Sequence, residues 1–223
     1  TPWIRQHLPE FAMALWLVIY WAISIRSNLN IGVRHLLPTY PFVILLVSGQ
    51  IAAFSKRLKK IDLAHARDFT ILVALFLGWY AFENVRVWPS YLSDFNQVAG
   101  GPSGGSQYVT DSNLDWGQDL IRFAKWTEEN NIQRIDLDYF GWSDPTYYLD
   151  GRYAWVSANT YRDARDFIKR NSSNGWIAVS ATFFRQATAL ISSETNTGDY
   201  RWLLPYEPAI VIGNSIFVWH ITR

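Results

Sequence analysis

Three long apolar stretches in the first part of the chain constrain its fold more than any other feature. No charged residue occurs within 11–25 or within 36–54. A helix that crosses a bilayer needs about 20 mostly apolar residues, whereas a helix buried in a soluble protein usually keeps a polar stripe. The sequence therefore predicts a membrane α-helical region of about three transmembrane helices, at 9–27, 36–54 and 69–88.

The basic residues predict how these helices are oriented. Cytoplasmic connections are enriched in Lys and Arg. The connection after the second predicted span is rich in basic residues, so it is predicted to be cytoplasmic, and the connection before that span is predicted to lie outside. An odd number of spans then places everything after residue 88 outside. The basic residues are Lys56, Arg57, Lys59, Lys60 and Arg67 on the cytoplasmic side, and Arg26 and Arg34 on the other.

The rest of the chain alternates helical and strand patterns, which is typical of a small α/β domain. The segment 100–106 (GGPSGGS) has the composition of a flexible linker. We therefore divide the chain into a transmembrane region at 1–90, a linker at 91–107 and an extracytoplasmic domain at 108–223. In that domain the spacing predicts a helix that begins after Asp115 and ends at Asn130, a half-buried strand at 135–139, strands at 153–157 and 176–180, a helix at 161–170, and a hairpin at 209–212 and 215–221.

Composition excludes some functions. The net charge of +1 offers no basic footprint for nucleic acid. The chain has no cysteine, which excludes disulfides and thiolate metal sites. His7, His65 and His220 lie in unrelated segments and predict no metal site, and no cofactor-binding motif occurs. The chain begins at Thr1 without a signal peptide, so we expect it to be the C-terminal part of a longer protein.

Arg34 and His35 lie where lipid headgroups would meet the start of the second span. The forked guanidinium of Arg matches phosphate, and His adds a second donor or a proton. The pair therefore predicts a lipid-phosphate site. The alternative is a pair of interfacial side chains in contact with ordinary lipid.

A second polar segment places oxygen-bearing side chains at alternate positions, at Asp111, Asn113 and Asp115. This spacing is similar to a calcium loop, but Gly117 comes one position late and Arg122 stands where the bidentate Glu would be. A looser divalent-cation site remains open. The default interpretation is that Asp115 caps a helix, with Gln118 three residues on.

The same segment carries an indole beside amide side chains. Trp116 could stack on a sugar ring while Asn113 and Gln118 hydrogen-bond its hydroxyls. Packing of the large apolar ring is the competing interpretation. Together with Asn30 and Asp115, these residues are the candidate substrate contacts.

Asp136 and Asp138 form an Asp-x-Asp pair, which resembles the metal-binding pair of nucleotide-sugar transferases. Strand alternation also explains it, because both carboxylates would lie on the face opposite Ile135 and Tyr139. We therefore expect a structural role.

Residues 30–41 (NIGVRHLLPTYP), followed by residues 111–120 (DSNLDWGQDL), resemble bacterial lipid-carrier-dependent glycosyltransferases of the protein mannosyltransferase and aminoarabinose transferase group, which have the GT-C membrane fold. The ending at 208–221 is also similar to members of that group. The resemblance covers most of the chain from about residue 28 onward. It implies a protein of the bacterial cytoplasmic (inner) membrane, because these relatives act there.

The resemblance implies transfer of a sugar from a polyprenyl-phosphate carrier to a glycan, lipid or protein acceptor on the outer face of the membrane. Basic side chains hold the leaving phosphate in that family, a role that Arg34 and His35 would match. The acidic base lies in an N-terminal loop that this chain lacks, so we expect the chain to be inactive alone. The alternative is a non-catalytic membrane-anchored module that binds a glycan or a protein.

Overall fold

The computed structural model describes residues 5–27, 32–171, 174–189 and 199–222. The chain divides into two compact units, Thr1–Arg86 and Val87–Arg223. The first is helical and the second is a mixed α/β unit, so each is described by itself.

The described part of the first unit contains three helices long and apolar enough to cross a membrane. Most of their apolar side chains are exposed, including Val18, Leu45 and Leu75. Such surfaces are stable in contact with lipid rather than water. The predicted membrane-spanning character is therefore supported by length and composition. The helices are α1 (Leu8–Arg26), α2 (Tyr40–Ile61), which follows a 3₁₀ helix at Val33–Thr39, and α3 (Leu63–Val87).

Aromatic contacts join consecutive helices of this unit. Trp16 of α1 packs on Phe42 of α2, with ring centroids 4.7 Å apart. Phe54 of α2 meets the edge of Phe69 of α3 at 4.9 Å. Each pair of consecutive helices is therefore joined by an aromatic contact.

The connection between α2 and α3 is much shorter than the sequence predicted. The basic segment after residue 54 continues α2 to Ile61, because Lys and Arg favour helices and suit the last turn. Asp62 alone separates the two helices, and its Oδ1 accepts the Ala64 N–H at 2.8 Å. The predicted cytoplasmic loop is thus mostly helix. The orientation of the helices stays a prediction.

The second unit is built around a five-stranded sheet with strand order β2-β1-β3-β5-β4. Strands β2, β1 and β3 are parallel, and β5 runs antiparallel to both β3 and β4. The predicted closing hairpin is confirmed. The elements are α4 (Leu120–Glu129), β1 (Ile135–Asp138), α5 (Pro145–Leu149), β2 (Tyr153–Trp155), α6 (Ala164–Arg170), β3 (Asn174–Ser180), α7 (Ala181–Thr188), β4 (Ile210–Ile212) and β5 (Ile216–Thr222).

Helices cover both faces of this sheet. On one face, Phe123 of α4 and Leu149 of α5 pack with Leu137 of β1. On the other face, Phe167 of α6 and Phe184 of α7 pack with Val179 of β3. The central parallel strands β1 and β3 are therefore buried on both sides, as is usual for parallel sheets, whereas the edge strand β2 is partly exposed.

Three local predictions for this unit are wrong. Strand β1 is covered on both faces, rather than half-buried. The helix starts at Leu120 instead of after Asp115. The Gly-rich linker is packed: a Cβ on Gly105 would overlap the Phe95 ring, and the Arg185 guanidinium donates to Ser106 Oγ at 3.1 Å. Long-range packing, which local composition does not encode, overrides all three.

Candidate functional site

The first candidate site lies at the start of α2. Arg34 and His35 belong to the 3₁₀ helix Val33–Thr39, where the Arg34 side chain is exposed and the His35 side chain is half-buried. Asn30, a candidate substrate contact, lies outside the described residues. The structure therefore places both predicted phosphate ligands together at one end of a membrane-length helix.

A residue of α1 fixes this 3₁₀ helix in place. The Tyr20 hydroxyl donates to the His35 carbonyl oxygen at 2.6 Å, and the two rings lie 5.9 Å apart. Trp16 stacks on Tyr20 with ring centroids 5.0 Å apart. This hydrogen bond from α1 fixes the backbone at His35, the residue that follows Arg34. Sequence reasoning missed Tyr20, since its partner lies 15 residues away.

The second candidate site is the loop of 3₁₀ turns and bends before α4. Asp111 adopts a left-handed backbone, with φ of 57°, and its carboxylate accepts the Ser112 N–H. Its own N–H donates to Thr182 Oγ1 of α7 at 2.9 Å. Asn113 is half-buried at the end of this turn. The loop is thereby attached to the first turn of α7.

Asp115 is the most unusual residue of this loop. Its side chain is fully buried, and Oδ1 accepts the Gly117 N–H at 2.8 Å. Oδ2 has no hydrogen-bond partner among the residues that the structure describes. Burial raises the pKa of Asp115 to about 7, because desolvation disfavours the charged carboxylate. It is therefore a buried acid that titrates near neutrality and does not cap a helix.

Trp116 and Gln118 are both exposed and are tied to each other through the backbone. The Trp116 N–H donates to Gln118 Oε1 at 2.7 Å, and Gln118 Nε2 donates to the Leu114 carbonyl at 3.2 Å. The indole N–H donates to the Ser112 carbonyl at 3.0 Å. The predicted capping box is wrong, because Gln118 bonds Trp116 rather than Asp115.

Asp119 was overlooked at the sequence level although it is fully buried. Its carboxylate accepts from Ser215 Oγ at 2.7 Å and from the Arg122 guanidinium at 2.8 Å. Burial still raises its pKa, while the serine bond opposes that shift. Asp119 therefore links the loop to the closing hairpin, and no local sequence pattern predicts this contact.

The Asp-x-Asp pair takes the structural role expected for it. Asp136 accepts from the Tyr161 hydroxyl and from Asn171 Nδ2, and Asp138 accepts from the Tyr200 hydroxyl at 2.6 Å. Burial and the bond to Asp136 raise the pKa of Tyr161 to about 12, and burial raises the pKa of Asp138. The two carboxylates lie inside the core face rather than on an open one.

Metal ligation finds no support in these geometries. Within the described ranges, no group of three or more His, Cys, Asp or Glu side chains is placed to hold a metal ion. Asp111 is used in a turn and Asp115 is buried, so the alternate-position pattern does not converge on one point.

Comparison of the chain with protein-family models, with curated proteins and with solved structures returns no match.

Proposed function

We propose that this chain is the C-terminal portion of an integral-membrane glycosyltransferase that uses a polyprenyl-phosphate sugar donor. In that reaction the bond between the sugar C1 and the phosphate oxygen breaks, and a hydroxyl oxygen of the acceptor forms a new bond to C1. The phosphate leaves with an added negative charge. The acceptor proton goes to a base that we expect outside this chain.

The observation that carries the proposal is the position of Arg34 and His35 at the start of α2. With α2 across a bilayer, the 3₁₀ helix at Val33–Thr39 would lie near the headgroups, and Arg34 and His35 would be within reach of a lipid phosphate. Fixed cationic donors stabilise a developing phosphate charge more than mobile ones, because they need no reorganisation during the reaction. The bond from the Tyr20 hydroxyl to the His35 carbonyl fixes the backbone from which these side chains extend.

The donor-binding step can be tested without the acceptor. The chain, in nanodiscs of zwitterionic lipid, is titrated with a fluorescent short-chain polyprenyl phosphate. Arg34→Ala should weaken binding at least about tenfold, since a charge-assisted bidentate contact contributes more than about 1.4 kcal/mol. Arg34→Lys should recover only part of the loss, because an ammonium lacks the forked geometry.

Arg26→Ala is the matched control, because Arg26 is an exposed arginine in the last turn of α1, before the same connection. It should leave binding within about twofold of the unchanged protein, since a surface charge away from the ligand contributes little. Equal losses in the Arg34 and Arg26 variants would indicate general attraction to anionic lipid. No loss in either would leave the membrane-anchored binding module as the better proposal.

A further inference from the structure

Two exposed tryptophans lie on either side of a close contact between glycines in the second unit. Trp116 is 48% exposed and Trp142 is 92% exposed. Trp116 precedes Gly117, and Trp142 follows Gly141, just beyond the carboxyl end of β1. An indole that is almost fully exposed contributes little to the core, so burial does not explain Trp142.

The two glycines allow their backbone segments to touch. A Cβ on Gly117 would overlap the Tyr139 hydroxyl and the Gly141 backbone, and a Cβ on Gly141 would overlap the Tyr139 ring and Gly117. The Tyr139 hydroxyl donates to the Gly117 carbonyl at 2.8 Å. The indoles are thus attached to adjacent backbone segments at the carboxyl end of a parallel strand, where ligands of α/β sheets usually bind.

The Trp116 ring is also held in one orientation. Its indole N–H donates to the Ser112 carbonyl and its backbone N–H donates to Gln118 Oε1. A ring that is already fixed loses little conformational entropy when a ligand packs on it. Beside it, Asp115 keeps a buried carboxylate oxygen without a hydrogen-bond partner among the described residues.

The two sequence segments that carry these rings lack basic residues. Residues 108–120 and 136–149 contain no Lys or Arg. This composition disfavours polyanions and anionic lipid, which are bound by Lys and Arg. Hydroxyl groups, in contrast, donate well to carboxylates and amides. Of the acidic residues in the two segments, Asp111 and Asp144 are exposed, whereas Asp115, Asp119 and Asp136 are buried and Asp138 is half-buried and bonded to Tyr200.

We propose that Trp116 and Trp142 form a binding surface for a neutral carbohydrate. The polarised C–H groups of sugar rings pack against the negative faces of the indoles. Gln118 and Asp144 are exposed and lie near the two tryptophans in sequence. Gln118 already bonds Trp116 and Leu114, and Asp144 Oδ1 accepts the Thr146 N–H, so the sugar hydroxyls would use the remaining amide N–H and carboxylate oxygen capacity of these side chains. This assignment does not rest on the transferase, because it concerns only residues of the second unit.

Saturation-transfer NMR on the full chain tests the proposal. The chain is placed in nanodiscs of zwitterionic lipid, which avoids sugar-based detergents, and mixed with neutral oligosaccharides of glucose, mannose or N-acetylglucosamine. We expect transfer to the ring C–H protons of at least one of them. Trp142→Ala and Trp116→Ala should each weaken binding about tenfold, as for other exposed tryptophan anchors. Trp116→Phe keeps an aromatic face and should retain most of the affinity.

Trp155→Ala is the control, because Trp155 is an exposed tryptophan on the edge strand β2. It should leave binding unchanged. The proposal is overturned if no neutral oligosaccharide receives saturation, or if the Trp142 and Trp155 variants lose affinity equally. It is also overturned if brominated lipid quenches the fluorescence that Trp142 contributes, since that result assigns the indole to the membrane surface.

Discussion

The Ser215 hydroxyl donates to Asp119 Oδ2 at 2.7 Å, although the two residues are 96 positions apart. Ser215 lies in the turn between β4 and β5, and Asp119 ends the loop that carries Trp116. Two segments that lie far apart in the chain, the loop before α4 and the closing hairpin, are therefore joined by a buried hydrogen bond.

We expect Ser215→Ala to lower the free energy of unfolding of the second unit by about 1–3 kcal/mol, because it removes a donor from a fully buried carboxylate. Denaturant titration followed by tryptophan fluorescence measures the change. Ser103→Ala, at an exposed serine, is the control and should have an effect within about 0.5 kcal/mol. Equal midpoints for the two variants would show that the bond to Asp119 contributes nothing.

The turn residue Gly213 allows a second prediction with a matched control. Gly213 and Gly151 have positive φ values of 57° and 74°. A Cβ on Gly213 would overlap the Asp119 carboxylate, whereas a Cβ on Gly151 meets nothing within 4 Å. Gly151→Ala should therefore cost about 1–2 kcal/mol through backbone strain alone.

Gly213→Ala should cost more than Gly151→Ala, because the turn and the buried carboxylate must move apart as well. Thermal unfolding of both variants measures the difference. Equal losses of unfolding free energy in the two variants would mean that the Asp119 side chain moves aside at no measurable cost, so that its close approach to Gly213 does not contribute to stability.

The stability of the second unit should also depend on the protonation of Asp115. Burial raises the pKa of this carboxyl from 3.8 to about 7, so between these values the folded state binds more protons than the unfolded state. The free energy of unfolding then falls as the pH rises through this window, by at most about 1.4 kcal/mol per pH unit from this group. Above pH 7 its contribution stays constant.

Asp115→Asn removes this dependence and keeps an oxygen that can accept the Gly117 N–H. Relative to the unchanged protein, the variant should gain stability progressively between about pH 4 and pH 7 and keep that gain at pH 8. Urea titrations at pH 5 and pH 8 measure it. A gain for Asp115→Asn that does not change with pH would contradict the predicted titration.

The sequence predicted elements whose residues follow a regular period, and it missed contacts between distant segments. Alternation at Ile135 and Leu137 placed β1 correctly. The same alternation suggested an open face for Asp136, which Tyr161 covers from 25 positions away. Arg34 and His35 were selected because polar side chains stand out beside an apolar span, and their role as phosphate ligands stays a prediction. Tyr20 was not selected, because from the sequence a tyrosine in an apolar helix cannot be distinguished from an ordinary interfacial aromatic residue.

The predicted orientation of the membrane helices can be tested directly because the chain has no cysteine. Any cysteine introduced is unique. Lys59 lies in the basic last turns of α2, and Glu128 is exposed on α4. Two variants are compared, Lys59→Cys and Glu128→Cys. Positively charged segments are retained in the cytoplasm, so a membrane-impermeant maleimide added to intact cells should label the Glu128 variant and spare the Lys59 variant. Both variants should react after the membrane is permeabilised. The reverse pattern would place Arg34 on the cytoplasmic side, where a carrier loaded on the outer face could not reach it.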